Sequence, residues 1–478
     1  MKKSVLFFLM LFLFASCDEE LNDSQSLNKY VNRWLYDNMS MLYYWNTKLP
    51  AYKSSTVSPD KYFETLIYEE DRFSAIFDSY TEILNSLHGV SEADPGFEFQ
   101  LYRESETNDN VVGAVLYSKP GTTAAAAGAT RGKFFRKING TQITIANYSN
   151  LIAAFTDGSA SFSMTFSEPL NGQWQDGTTI TVTKVKNYQE NPVYLDTVYV
   201  VDNKKIGYLV YNFFSNDTGD ETLKYDLEMN EVFGRFKQEG ISELIVDLRY
   251  NSGGMMSSAV HMGSMLVPDL AANKVFSYTE YNRNYTNYFN SDEFKKQNVG
   301  DPFVDYFATN IAVSKPAAAT IPVQNVGNQL NRIYFLTGRR TASASEMVIN
   351  SLKPYISCIL IGDVTVGKNV GSTLVNDEEN DKNDWAFMPI ILKYFNKDRK
   401  SDFPNGFVPD FSVDDTYNYA LGDLRESLLN KAVLQITGKA SLAPSVKKTP
   451  LKLTSPVDVK PFGRLIVNKP VLNSFVKQ

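Results

Sequence analysis

From about residue 188 the chain alternates short apolar runs with helical stretches, and that order admits few folds. "KKIGYLVYNFF" reads as a strand, "DETLKYDLEMNEVFGRFKQEG" as a helix stopped at Gly240, "SELIVDL" as a strand and "MMSSAVHMGSMLV" as a helix. After an irregular stretch, "NRIYFLTG", "SASEMVINSLKPY" and "CILIGD" repeat strand, helix and strand. This order predicts an α/β fold with a parallel sheet and right-handed crossovers. In such a sheet the strand C-termini share one edge, where ligands bind.

The 478 residues are enough for two or three domains. Residues 28–91 read as helical: Val31, Leu35, Met39, Leu42 and Trp45 recur at spacings of three and four. "SPDKYFETLIY", with Ser58 as cap and Pro59 at the first helical position, predicts a second helix, and "SYTEILNSL" a third. Residues 92–187 change to strand runs such as "GFEFQLY" and "NVVGAVLY", with a hairpin signal at Asn139-Gly140. Residues 188–478 form the α/β core, and the polar residues 18–27 read as a tether.

Residues 1–17, "MKKSVLFFLMLFLFASC", read as a leader: two lysines, an apolar run too short to span a bilayer, then small residues and Cys17. "FASC" resembles a bacterial lipobox, which implies lipidation of Cys17, a membrane tie through that lipid, and a Gram-negative-type cell envelope, facing the periplasm or exposed on the outer membrane. The net charge of −7 argues against a nucleic-acid partner. With only His88, His261 and, beyond the leader, Cys358, no Cys/His cluster suits zinc. Cys358 reads as a core residue, and each histidine as a packed or loop residue. No metal and no cofactor is expected.

Three loops follow the predicted strand ends: "RYNSGG", "RRTAS" and "VTVGKNVGS". If those strands are neighbours, Gly253, Gly254, Ser343 and Lys368 meet on one edge. Ser343-Ala344-Ser345-Glu346 is a helix-start signature, and a serine there is first a cap. It is also placed where free N–H groups favour negative charge. A serine hydroxyl attacks only when a base takes its proton. With no histidine on these loops, Lys368 is the candidate base. A lysine normally titrates near about 10.4, so it would need burial to bring it to roughly 7 to 8. The N–H groups of Ala344 and the Gly253-Gly254 turn are candidate oxyanion donors. Asp247 and Arg249 read as residues that hold the loop.

These segments carry a resemblance. "IVDLRYNSGG", "TASASE" and "TVGK" resemble, in order, three motifs of the carboxyl-terminal processing (tail-specific) proteases, the S41 serine peptidases. Lys368 follows Ser343 by 25 residues, a spacing the family also shows. The resemblance implies a multidomain protein: a crotonase-like (ClpP/crotonase-type) protease core, a β-rich PDZ domain and an N-terminal helical region. It implies Ser343 as nucleophile, Lys368 as base, and polypeptide tails as substrates caught by strand addition to the PDZ domain. Gly96, Phe97, Glu98 and Phe99 sit where that domain's carboxylate-binding loop would be. Many members carry a glutamine four residues after the lysine; Ser372 stands there and is the candidate orienter of Lys368. Gly132-Lys133 replaces a common "GD". Two other readings stay open: an inactive PDZ lipoprotein scaffold that binds peptide tails, and an esterase using the same pair.

Overall fold

The computed structural model describes residues 22–105, 107–170, 173–298, 300–313, 319–439 and 456–457, and the backbone of 464–466. Cys17 and the leader lie outside the described residues.

Helix α1 (Asp23–Leu42) buries Val31, Leu35, Met39 and Leu42 on one face. It begins inside the stretch expected to be a tether. Asn22 Oδ1 accepts from Gln25 N–H, and Gln25 Oε1 from Asn22 N–H, so a polar sequence still starts the helix. The helix stops before Trp45, which lies in the following turn. A second helix, Pro59–Glu64, starts at its proline, although the Ser58 side chain makes no capping bond. The region is not wholly helical: the strand Ala75–Phe77 pairs with Ala386–Met388 of the core. The apolar face of α1 belongs to the same buried cluster as core residues such as Phe335, Val348 and Phe387.

The β-rich domain opens with Val90–Asp94, paired to Val185–Gln189, which closes it. Its sheet starts at β1 (Phe97–Arg103), whose one strand neighbour in the sheet among the described residues is Val111–Ser118. The short helix α2 (Tyr148–Ile152) lies over the cluster of Phe97, Leu101, Phe135 and Phe155.

The core is ordered as its sequence predicts. Strands β2 (Lys204–Tyr211), β3 (Glu243–Asp247), β5 (Arg332–Thr337) and β6 (Ser357–Gly362) are parallel neighbours in that order. An antiparallel strand, Val193–Val201, covers the β2 edge. Helix α3 (Lys224–Glu239) joins β2 to β3 and ends at Gly240 with φ of 67°. After β3 come β4 (Gly253–Met255) and helix α4 (Met256–Leu266). Helix α5 (Ala344–Leu352) joins β5 to β6, and all nine of its residues are buried. Strand β7 (Val370–Ser372) belongs to a second sheet with β4. Helix α6 (Ser427–Thr437) covers one face of the parallel sheet, with Leu428, Leu429, Ala432 and Val433 buried against Tyr208, Ile245 and Leu336. Cys358, half-buried beside this core, has its thiol pushed up to about 12 by burial.

Candidate active site

Parallel order brings the ends of β3, β5 and β6 side by side, so the three loops share one edge as expected. Asn251 stitches the first to the second. Its carbonyl accepts from Ala342 N–H at 3.1 Å and Ser345 Oγ at 3.1 Å, while its amide donates to Tyr211 O at 2.8 Å. Thr341 Oγ1 donates to Leu248 O at 2.7 Å.

Ser343 sits just before α5 with φ of 62° and ψ of −111°, a region that non-glycine residues occupy only under strain. It is fully buried, and its Oγ has no hydrogen-bond partner among the described residues. The expected cap is therefore half-made. Glu346 accepts from Ser343 N–H at 2.8 Å, but Ser343 Oγ caps nothing.

Glu346 does more than close the cap. Its Oε2 also accepts from Lys368 N–H at 2.8 Å, and its Oε1 from Gly367 N–H at 2.7 Å and Thr365 Oγ1 at 2.5 Å. Burial pushes the Glu346 carboxyl above its ordinary range, and the Thr365 hydroxyl and the three N–H groups only partly oppose this. Sequence reasoning treated Glu346 as a cap alone. The signal that it also grips the 365–368 loop is long-range and absent from the motif.

Lys368 is 1% exposed. Its Nζ donates to Ser372 Oγ at 3.3 Å and stands 5.5 Å from the Phe73 ring centroid. Tyr394 OH joins the two loops from behind, donating to Lys368 O at 3.0 Å and Ser343 O at 3.3 Å. Phe73 comes from the N-terminal region, where Arg72 donates to Pro404 O at 2.8 Å and Val366 O at 3.1 Å. That brace on the lysine loop was not foreseen.

The glycine pair departs from expectation at one member. Gly253 N–H is spent on Asn251 Oδ1 at 2.8 Å, because the Asn side chain folds back over its own turn. Phe214 N–H donates to Gly253 O and Met255 N–H to Phe214 O, so the N–H and C=O of Gly254 face the other way. Gly254 has φ of 139°, and a Cβ there would lie 2.0 Å from Phe214 O, so only glycine fits. Ala344 N–H, at the first position of α5, makes no hydrogen bond among the described residues.

The loop-holding role of Asp247 and Arg249 is visible in full. Arg249 is buried between Asp247, with Nε–Oδ1 at 2.9 Å and Nη2–Oδ2 at 2.8 Å, and Glu426, with Nη1–Oε1 at 2.6 Å and Nη2–Oε2 at 2.9 Å. Burial disfavours the Glu426 charge, yet the Arg249 and Arg131 guanidiniums outweigh it and hold the carboxyl at about 2. Arg131 reaches this cluster from the β-rich domain, beside the Gly132-Lys133 turn, and also binds Asp415 and Tyr250. His88 and His261 stay in structural roles, facing Asp217 and Asp226.

Residues Gly96 to Phe99 do not present an open anion site. Phe97 is 1% exposed within the domain core, Gly96 N–H is held by Asp94 Oδ1 at 2.7 Å, and Arg340 donates to Phe99 O at 2.6 Å. Glu98 pairs with both nearby cations, Lys119 at 3.2 Å and Arg340 at 3.6 Å. A cavity of about 540 Å3 runs from this segment to the glycine turn, lined by Phe97, Phe99, Phe155, Arg340, Gly253 and Gly254 among others.

The fold and this edge define a mixed α/β, multidomain protein with a buried serine at a helix start and a buried lysine on the next strand-end loop. The family model for peptidase family S41 matches residues 205–413, and the model of the S41 N-terminal domain matches residues 30–75. The chain belongs to peptidase family S41. It is 23% identical over 252 residues to a protein of Staphylococcus aureus strain N315 assigned as a CtpA-like serine protease, and 22% identical to its counterpart in strain COL. Each match covers 50% of this chain and 41% of the relative, so the alignment spans well under half the length of the curated relatives. A crystal structure from Bacteroides fragilis NCTC 9343, assigned to the S41 proteases, shares the fold. Its TM-score is 0.66 at 23% identity, over 85% of this chain and 97% of that one.

Proposed function

We propose that this protein is a serine endopeptidase that cleaves polypeptide chains, with Ser343 as nucleophile and Lys368 as base. The observation that carries the reading is the Glu346 carboxylate, which holds the main chains of Ser343 and Lys368 at one point. A strained backbone at Ser343, and a hydroxyl without a hydrogen-bond partner among the described residues, fit a nucleophile better than a cap.

In this mechanism Ser343 Oγ attacks the scissile carbonyl carbon while Lys368 Nζ takes the hydroxyl proton. The negative oxygen of the tetrahedral intermediate is held by Ala344 N–H at the start of α5 and by Gly254 N–H. Lys368 returns the proton to the departing amine, and water then releases the acyl group by the same steps. A lysine in this role must be neutral when it acts, and burial is the usual means to that end. Among the described residues Lys368 Nζ donates to Ser372 Oγ and Ser343 Oγ has no partner, so in this mechanism the two groups come together when substrate binds. The β-rich domain acts as a PDZ domain that takes substrate tails as an added strand on β1. A lipid on Cys17 holds the enzyme to the membrane of the cell envelope.

The test is incubation with a disordered protein, wild type beside Ser343→Ala. Cleavage by the wild type alone supports the reading. Tight binding of peptide tails with no turnover at any pH would instead make the chain a scaffold, and turnover of simple esters but not peptides would make it an esterase.

A further inference from the structure

Two short pieces of the chain beyond α6 are seated on the elements that the proposed function gives to substrate. The first is Pro456-Val457. Pro456 pairs antiparallel with Tyr102, Val457 N–H donates to Leu101 O at 3.0 Å, and Gln100 Nε2 donates to Val457 O at 3.4 Å. Val457 is 8% exposed and packs in the cluster of Phe97, Leu101 and Phe155. It thus adds to the edge of β1 that no other strand covers among the described residues. The second piece is strand β8 (Arg464–Ile466), which runs parallel to both β4 and β7. Gly253 pairs with Arg464, Gly254 with Leu465, and Ile466 with both Met255 and Ser372.

These two positions are linked by geometry as well as by chain. Val457 and Arg464 are seven positions apart, a reach of at most about 24 Å for an extended chain. The cavity between them is lined by Phe97, which shares a cluster with Val457, and by Gly253, which pairs with Arg464. Strand β8 fills the gap between the turn that carries Gly254 and the strand that follows Lys368. It lies on the side to which Gly254 turns its N–H, the donor assigned to the oxyanion. A strand of substrate and β8 therefore need the same edge, and only one of them fits.

We infer that the two pieces Pro456-Val457 and Arg464–Ile466 are intramolecular occupants of the polypeptide slot, competing in cis with the chain to be cleaved. This rests on the reading that the slot between β4 and β7 receives a polypeptide. The seating relies on main-chain pairing at β8 and on one apolar side chain at Val457. It is therefore displaceable by any extended polypeptide that pairs as well. Because the pieces are tethered, their effective concentration at the slot is set by a short linker and is of millimolar order.

The experiment uses the full chain carrying Ser343→Ala, so that cleavage plays no part. Binding of fluorescein-labelled casein, a disordered polypeptide, is followed by anisotropy with and without Leu465→Pro, which removes the strand N–H. Val457→Asp, which places a charge in the β1 cluster, is measured beside it. Release of a cis competitor predicts binding about tenfold tighter in each variant. It also predicts faster amide exchange in 97–103 and 253–255, with exchange in α3 and α5 unchanged. Affinity unchanged or weaker in both variants would overturn the inference, as would no casein binding to any of them. Whether the chain is a peptidase is read separately, from wild-type turnover, so the two ideas fail independently.

Discussion

Ser343 and Lys368 are tied to one carboxylate oxygen: each donates its backbone N–H to Glu346 Oε2 at 2.8 Å. The two residues are 25 positions apart and lie on loops after different strands. Their relative placement is therefore held by side chains from elsewhere in the chain, Glu346 in front and Tyr394 behind, and not by local geometry.

Glu346→Gln keeps the shape and one acceptor but turns an NH2 group towards N–H donors. Burying such a mismatch costs about 1–3 kcal/mol. A lower Tm is expected, with a fall in kcat on a peptide substrate of roughly 100-fold at little change in KM. An unchanged kcat would show that the clamp does not position the pair.

Arg72→Ala removes the brace on Val366 O and Pro404 O from an exposed part of the N-terminal region. Activity is expected to fall on the order of tenfold as the Lys368 loop loosens. Stability should change by less than about 0.5 kcal/mol, as for most surface positions. Equal losses in stability and activity would point to a packing role instead.

Gly254→Ala places a methyl group 2.0 Å from Phe214 O at a backbone angle that side chains avoid. A loss of about 2 kcal/mol or more in urea denaturation is expected, together with loss of turnover.

The buried cluster of Arg249, Arg131 and Glu426 gives a pH prediction. The Glu426 carboxyl is held at about 2, below its ordinary value, so its stabilising effect is present above the ordinary carboxylate range and is lost as pH falls towards 2. Glu426→Gln leaves buried guanidiniums short of a charge and should cost about 3–5 kcal/mol at neutral pH. Urea melts at a series of pH values should show this gap closing as pH falls from the ordinary carboxylate range towards 2. A gap independent of pH would contradict the assignment.

The parallel order of β2, β3, β5 and β6 was legible because short apolar runs alternate there with patterned helices. That order alone brought Ser343, Lys368 and Gly254 to one edge. What stayed hidden was long-range. The spacing Ser343 to Glu346 describes a cap and says nothing of Gly367 or Lys368. Arg131 and Glu426 are far apart in sequence, and neither carries a pattern. The start of α1 was missed because its first turns are polar and rest on an Asn22–Gln25 box. A three-residue strand such as β8 is too short for any periodicity. Gly253 was read as an oxyanion donor because its neighbour Asn251, which takes its N–H, reads as an ordinary turn residue.

The central claim, that Ser343 and Lys368 act as nucleophile and base, is tested most directly by mass spectrometry of a disordered protein after incubation with wild type, Ser343→Ala and Lys368→Ala. Fragments from the wild type and none above background from either variant, with both variants folded by circular dichroism, is the predicted result. Full cleavage by the Lys368→Ala protein would contradict it.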